Sequence, residues 1–131
     1  MTKGFFITSS GTDIGKTLIT TSLCYQLSAG GREVHAIKPI ISGFNIEENN
    51  DVFEILNSLN LGITEENINK VSRYRFLAAI SPDMAAKRER QEINFKELRE
   101  YCLSFSSSEY LLIEGVGGVM VPINSKFTTL D

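Results

Sequence analysis

Apolar residues fall along this chain in two textures, short unbroken runs and sets at helical spacing. The first run is Gly4–Thr8, holding Phe5, Phe6 and Ile7 and ending at Ser9-Ser10-Gly11. Unbroken apolarity of that length predicts a strand buried on both faces. Leu18, Ile19, Leu23, Cys24 and Leu27 then recur at helical spacing, and Gly30-Gly31 stands where a helix C-cap belongs. Glu33–Lys38 reads as a second strand ended by Pro39, and residues 39–50 as a polar loop around Gly43. Val52, Ile55, Leu56 and Leu59 mark a second helix.

Residues 60–80 carry a weaker pattern, in which Arg73–Phe76 fits either a short strand or an irregular connection. Ser81-Pro82-Asp83 can open a helix with proline in its first turn. Asn94-Phe95-Lys96-Glu97 reads as a capping box, with Ile93 stapled onto Leu98, for a helix ending near Ser104–Ser108. Glu109–Glu114 is a third strand, and Val119–Ile123 a last extended piece. Strands alternating with helices predict an α/β fold with a mostly parallel sheet flanked by helices. Ligands in such folds lie beyond the C-terminal ends of strands, which is where Lys16, Lys38 and Glu114 fall.

The 131 residues suit one domain, and 42% hydrophobic content is enough for an ordinary core. A net charge of −3 gives no basic surface for nucleic acid. No apolar run approaches the roughly 20 residues of a membrane span, and the N-terminal apolar run is too short for a secretory signal. Cys24 and Cys102 are too few for a disulfide scaffold and sit among apolar neighbours, so buried thiols are expected. A cytoplasmic protein without nucleic-acid or membrane partners is the expectation. His35, the one histidine, is expected to be a half-buried strand residue.

The densest chemical signal is Ser10-Gly11-Thr12-Asp13-Ile14-Gly15-Lys16-Thr17, between a strand and a helix. A phosphate loop needs small residues for backbone approach, a helix N-terminus behind it, a lysine for the β- and γ-phosphates and a hydroxyl for magnesium. Gly15, Lys16 and Thr17 fill these positions, although Ser10 stands where the usual pattern has glycine. A P-loop NTPase-like fold follows. Glu114, closing an apolar strand before Gly115-Val116-Gly117-Gly118, can reach a magnesium ion beside such a loop. Asp51 stands where a helix N-cap belongs, and spacing alone favours that role over metal binding. Lys38 before Pro39 is by itself an ordinary strand-end charge, and Ser42-Gly43 an ordinary polar turn.

Read in order, Ile7–Thr17, Ile37-Lys38-Pro39-Ile40-Ile41-Ser42-Gly43, Asn50-Asp51, Ile80–Ala86 and Glu114–Ile123 resemble the dethiobiotin synthetase family, from residue 3 to residue 131. The Lys-Pro-x-x-Ser-Gly and Glu-Gly-x-Gly-Gly-x-x-Val-Pro pieces carry most of this likeness. The resemblance implies an ATP- and Mg2+-dependent ligase that joins carbon dioxide to diaminopelargonic acid and closes a cyclic urea, working as a homodimer. It implies that Thr12, Asp13, Ile14, Gly15, Lys16, Thr17 and Leu18 wrap the ATP phosphates. Asp51, Glu114, Gly115, Val116 and Gly117 also adjoin ATP. Thr17, Asp51 and Glu114 surround magnesium, Ser42 and Thr12 contact substrate, and Lys16 and Lys38 stabilise charge during transfer. Two positions depart from the family pattern: Gly11 replaces an acidic residue, and Asp83 stands where histidine is frequent. Family members are longer, so the chain reads as an N-terminal portion, a single P-loop domain over 1–131 without the later strands that hold adenine. The alternatives are a related P-loop amidoligase-type domain, such as the N-terminal part of cobyrinic acid amidase, and a truncated non-catalytic nucleotide-binding module.

Overall fold

Apolar runs become parallel strands and helically spaced segments pack against them, in a computed structural model that describes residues 1–131. The elements in order are β1 (Lys3–Ile7), α1 (Lys16–Ala29), β2 (Val34–Ile37), β3 (Ile40–Ser42), α2 (Asp51–Ser58), α3 (Glu65–Val71), β4 (Tyr74–Phe76), α4 (Pro82–Arg88), α5 (Phe95–Leu103) and β5 (Tyr110–Glu114). The main sheet has the order β1-β5-β2, all parallel, with Ile7 opposite Glu114 and Ile37 opposite Ile113. A second parallel pair, β3-β4, lies beside it. No helix is long and apolar enough to cross a membrane.

Proline explains the break between the sheets. Lys38 N–H donates to the Val71 carbonyl at 2.9 Å, and Pro39 has no N–H to offer a ladder. The Pro39 carbonyl instead accepts from Arg73 and Tyr74, which starts the β3-β4 pair. Residues 40–42 are therefore a strand, where the sequence predicted loop. The reason is that three residues are too few to show a period.

Two apolar cores result. Cys24, Ala36, Val52, Ile55, Leu56, Ile68, Val71 and Leu112 fill the space between the main sheet and α1, α2 and α3. Ile40, Phe76, Ala85, Ala86, Ile93, Leu98 and Ile123 form the second around β3-β4. The α1 helix ends in a Schellman arrangement: Gly31 takes φ +70°, its N–H bonds the Ser28 carbonyl, and Arg32 N–H bonds that of Leu27.

Several expectations are corrected. β1 is an edge strand with Phe5 and Phe6 about half exposed, because β5 occupies the centre and pairs with β1 on one side only. Apolarity reports strand character better than it reports the number of neighbours. The buried stripe of α1 is Lys16, Thr20 and Cys24, while Leu18 and Ile19 face out. Thr20 tolerates burial because its hydroxyl donates to the Lys16 carbonyl at 2.9 Å. Residues 119–123 form turns with one isolated bridge, Pro122 to Thr128, and no strand. At α5, Asn94 caps the N–H groups of Lys96 and Glu97, but Glu97 turns to Arg73 and does not close the box. The helix expected from Ser81-Pro82-Asp83 does form, as α4 with Pro82 in its first turn, and the Ser81 hydroxyl donates to Asp83.

His35 stacks on Phe105 with ring centroids 4.5 Å apart, and burial lowers its pKa. Cys24 is fully buried as expected, whereas Cys102 is only half-buried and lines a groove with Phe6, Leu98 and Ile113. Burial pushes the Cys102 thiol up to about 11. At pH 8 such a thiol is about one-thousandth thiolate, so iodoacetamide should label Cys102 on the order of 100-fold more slowly in the folded chain than in urea. Equal labelling rates, read by mass spectrometry, would contradict this burial.

Candidate functional site

The loop between β1 and α1 turns at Gly15, whose φ of 111° is strained for a residue with a Cβ. Gly15 is also the α1 N-cap and offers no side-chain acceptor, and the first turn holds no acidic residue. The first N–H groups of a 14-residue helix are thus left for an external anion, with the positive end of the helix dipole behind them. Lys16 folds back along the loop, donating from Nζ to Ser9 Oγ at 3.0 Å and to the Gly11 carbonyl at 3.1 Å. Burial, then the charge of Lys38, lowers its pKa.

The loop after β5 closes over this one. Val119 N–H bonds the Ser9 carbonyl at 2.9 Å. A Cβ on Gly118 would stand 2.9 Å from the Ser10 carbonyl oxygen, so only glycine admits that approach. Gly117 takes φ +59°.

Below the loop lies a buried charge cluster. Glu114 is fully buried at the end of the central strand. Its Oε1 accepts from Lys38 Nζ at 2.7 Å and from Thr17 Oγ1 at 2.8 Å, while Oε2 has no hydrogen-bond partner. Lys38 Nζ also reaches Asp51 Oδ2 at 2.9 Å. The Lys38 side chain is 5% exposed and that of Asp51 is 42% exposed, so Asp51 is the member that solvent reaches. Burial alone would lower the pKa of Lys38, but Glu114 and Asp51 outweigh it and hold the pKa above the ordinary lysine value. Burial opposes the charged form of Asp51 too, and Lys38, with Thr17 and Lys16, more than offsets it, keeping the carboxyl below its usual range. Asp51 is free for this contact because Asn50 is the α2 N-cap, accepting from Phe53 N–H at 3.2 Å. The N-cap role that spacing gave Asp51 belongs to its neighbour.

A cavity of about 660 Å³ opens on this cluster. Thr12, Asp13, Gly15, Lys16, Thr17, Leu18, Lys38, Ser42, Asp51, Glu114, Val116 and Gly117 line it. Ile14 points to solvent and Gly115 lines the groove on the other side, so neither joins them. Ser42 Oγ is buried without a partner.

A family model described as an AAA domain matches residues 3–131. The chain belongs to this AAA-domain family. Among curated relatives, the ATP-dependent dethiobiotin synthetase BioD of Acidiphilium cryptum (strain JF-5) is 35% identical over 132 residues, covering 97% of this chain and 59% of its own length. The enzyme of the same name from Methylobacterium nodulans is 34% identical, covering 95% and 60%. That of Legionella pneumophila (strain Lens) is 35% identical, covering 98% and 59%. The chain thus spans about three-fifths of the length of the relatives it matches.

In this AAA-domain chain no three His, Cys, Asp or Glu side chains are grouped for a metal ion. The available donors are two carboxylates and a hydroxyl, a set that suits a hard cation keeping waters and phosphate oxygens. The unpartnered Oε2 of Glu114 fits that use. Sequence reasoning left Ile41, Ala79, Ile80, Ser81, Pro82 and Val121 out of the site, although they wall the cavity. Ser81 and Pro82 were visible as a helix start, and nothing in their spacing indicated which way the helix faced.

Gly118→Ala should cost about 1–3 kcal/mol, because the added methyl meets backbone that must move. Urea melts should show the loss, since the displaced segment is Ser10-Gly11 of the loop before α1. An unchanged urea midpoint would separate the two loops.

Proposed function

We propose that the protein carrying this chain is an ATP-dependent ligase of biotin biosynthesis, converting 7,8-diaminopelargonic acid and carbon dioxide to dethiobiotin. The observation that carries this reading is the meeting of Lys16, Lys38, Asp51, Glu114 and Ser42 around one cavity beside a helix N-terminus. The names of the relatives, ATP-dependent dethiobiotin synthetases, support ATP use and the product, and the resemblance of the motifs implies the two substrates.

In this reading one substrate amine adds to carbon dioxide and loses a proton, giving a carbamate. The carbamate oxygen attacks the γ-phosphorus, the bond to the β-phosphate oxygen breaks, and ADP leaves. The second amine attacks the carbonyl carbon of the mixed anhydride, which expels phosphate; the proton the amine loses leaves with the phosphate, and the ring is closed. Every step rearranges anionic oxygens, so positioned positive charge accelerates it and no protein nucleophile is needed. Lys16 serves the phosphates from the loop, and Lys38 faces the carbamate from the neighbouring strand end. Ser42 and Thr12 orient the substrate. Thr17, Asp51 and Glu114 would hold Mg2+, which when bound neutralises charge on the β- and γ-phosphates. The reading includes a homodimer in the cytoplasm.

Turnover is tested by ATP-dependent incorporation of labelled carbon dioxide into dethiobiotin. Lys38→Ala should lower kcat on the order of a hundredfold or more, with little loss of ATP affinity, because its charge acts mainly as the oxygens rearrange. Lys16→Ala should weaken ATP binding as well. Near-normal turnover in Lys38→Ala would remove this lysine from the mechanism. Failure of the unsubstituted protein to incorporate label would sink the proposed reaction.

A further inference from the structure

The charge cluster poses a problem of occupancy. The reading above gives Asp51 and Glu114 to a divalent cation, yet the same carboxylates already hold an ammonium. Lys38 Nζ lies 2.7 Å from Glu114 Oε1 and 2.9 Å from Asp51 Oδ2, and Thr17 Oγ1 donates to the same Glu114 oxygen at 2.8 Å. All three groups assigned to the cation are therefore reached by one lysine or by a partner of that lysine. An inner-sphere magnesium ligand sits at about 2.0–2.1 Å. Seating a divalent cation on these oxygens puts two like charges side by side in a site where Lys38 is 5% and Glu114 0% exposed. Repulsion in such a low-dielectric setting is strong. A cation that enters on the unpartnered Glu114 Oε2 still stands one carboxylate width from the ammonium.

We infer that Lys38 is an internal competitor for the divalent cation, the ammonium and the metal being alternative partners of the Asp51–Glu114 pair. The inference rests on the proposed assignment of those two carboxylates to the cation. Metal entry then has a second effect. It releases Lys38, whose flexible stem already borders the cavity, towards the anions bound there. Loading of the metal and delivery of the lysine become one exchange. A divalent cation offered alone meets the full competition of the ammonium, whereas one arriving with a polyanion brings the lysine an alternative partner.

The test is an EPR titration of the nucleotide-free chain with Mn2+, comparing the unsubstituted protein, Lys38→Met and Asp51→Asn. Removing the ammonium should tighten Mn2+ binding tenfold or more, and Asp51→Asn should weaken it. Lys38→Met leaves Glu114 without its counter-charge, so a measurement on the unsubstituted chain runs beside it. In that measurement, reductive methylation of Lys38, read by mass spectrometry, should speed up several-fold when Mg2+ is added. Unchanged or weaker Mn2+ binding by folded Lys38→Met, with binding still lost in Asp51→Asn, overturns the exchange and leaves the cation assignment standing. If Asp51→Asn binds Mn2+ as the unsubstituted chain does, the cation assignment falls and the exchange falls with it. If Lys38→Met does not fold, methylation decides, and a rate indifferent to Mg2+ overturns the exchange.

Discussion

A carboxylate with no solvent exposure, Glu114, closes the central strand, and the arrangement around it follows from what that burial demands. An isolated buried carboxylate is very costly, and removing one partner of a buried ion pair is strongly destabilising, by about 3–5 kcal/mol in general. Glu114 is therefore surrounded. The end of β2 brings Lys38, the first turn of α1 brings Thr17, and the first turn of α2 brings Asp51 to the far side of the ammonium. Three elements distant in sequence are tied at one point. Because β5 lies between β1 and β2, both neighbouring strands end at that same point, which is the C-terminal edge where open α/β sheets bind ligands.

How much of this is legible in the sequence depends on whether the cause is local. Gly15, Lys16 and Thr17 announce themselves because a phosphate loop is a contiguous device whose roles have fixed spacing. Glu114 was legible as a charge ending an apolar run. Asp51 was not, since Asn50 and Asp51 are equally good N-caps by type and differ only in where each side chain points. The resemblance, and not the spacing, singled out Asp51. Leu18 and Ile19 mislead for a similar reason, because the stripe that α1 buries contains Lys16 and Thr20, whose polar atoms are satisfied by Ser9, Gly11 and the Lys16 carbonyl. β3 escapes notice because a three-residue strand has no measurable period.

Two features fasten the glycine-rich loop after β5 to the loop before α1. Gly118 allows the close approach to Ser10, and Val119 fastens the loop to Ser9. The anion loop is thereby backed by a second loop whose position is fixed by the same strand that carries Glu114. A sequence motif that looks like a ligand contact is here, in part, a steric fit between two stretches of backbone.

The strand order has a consequence in time. β1 and β2 never pair with each other; each waits for β5, which lies more than seventy residues beyond β2. During synthesis, at about 5–20 residues per second, the first two strands leave the ribosome several seconds before the strand that joins them. Throughout that interval Phe5 and Phe6 have no sheet, and Lys38 has no Glu114. The early chain can close its helices, which need only local contacts, but the main sheet forms late and from its centre outwards. A nascent chain of this topology carries β1, with Phe5 and Phe6, uncovered for longest, which makes β1 the segment with most to gain from a chaperone.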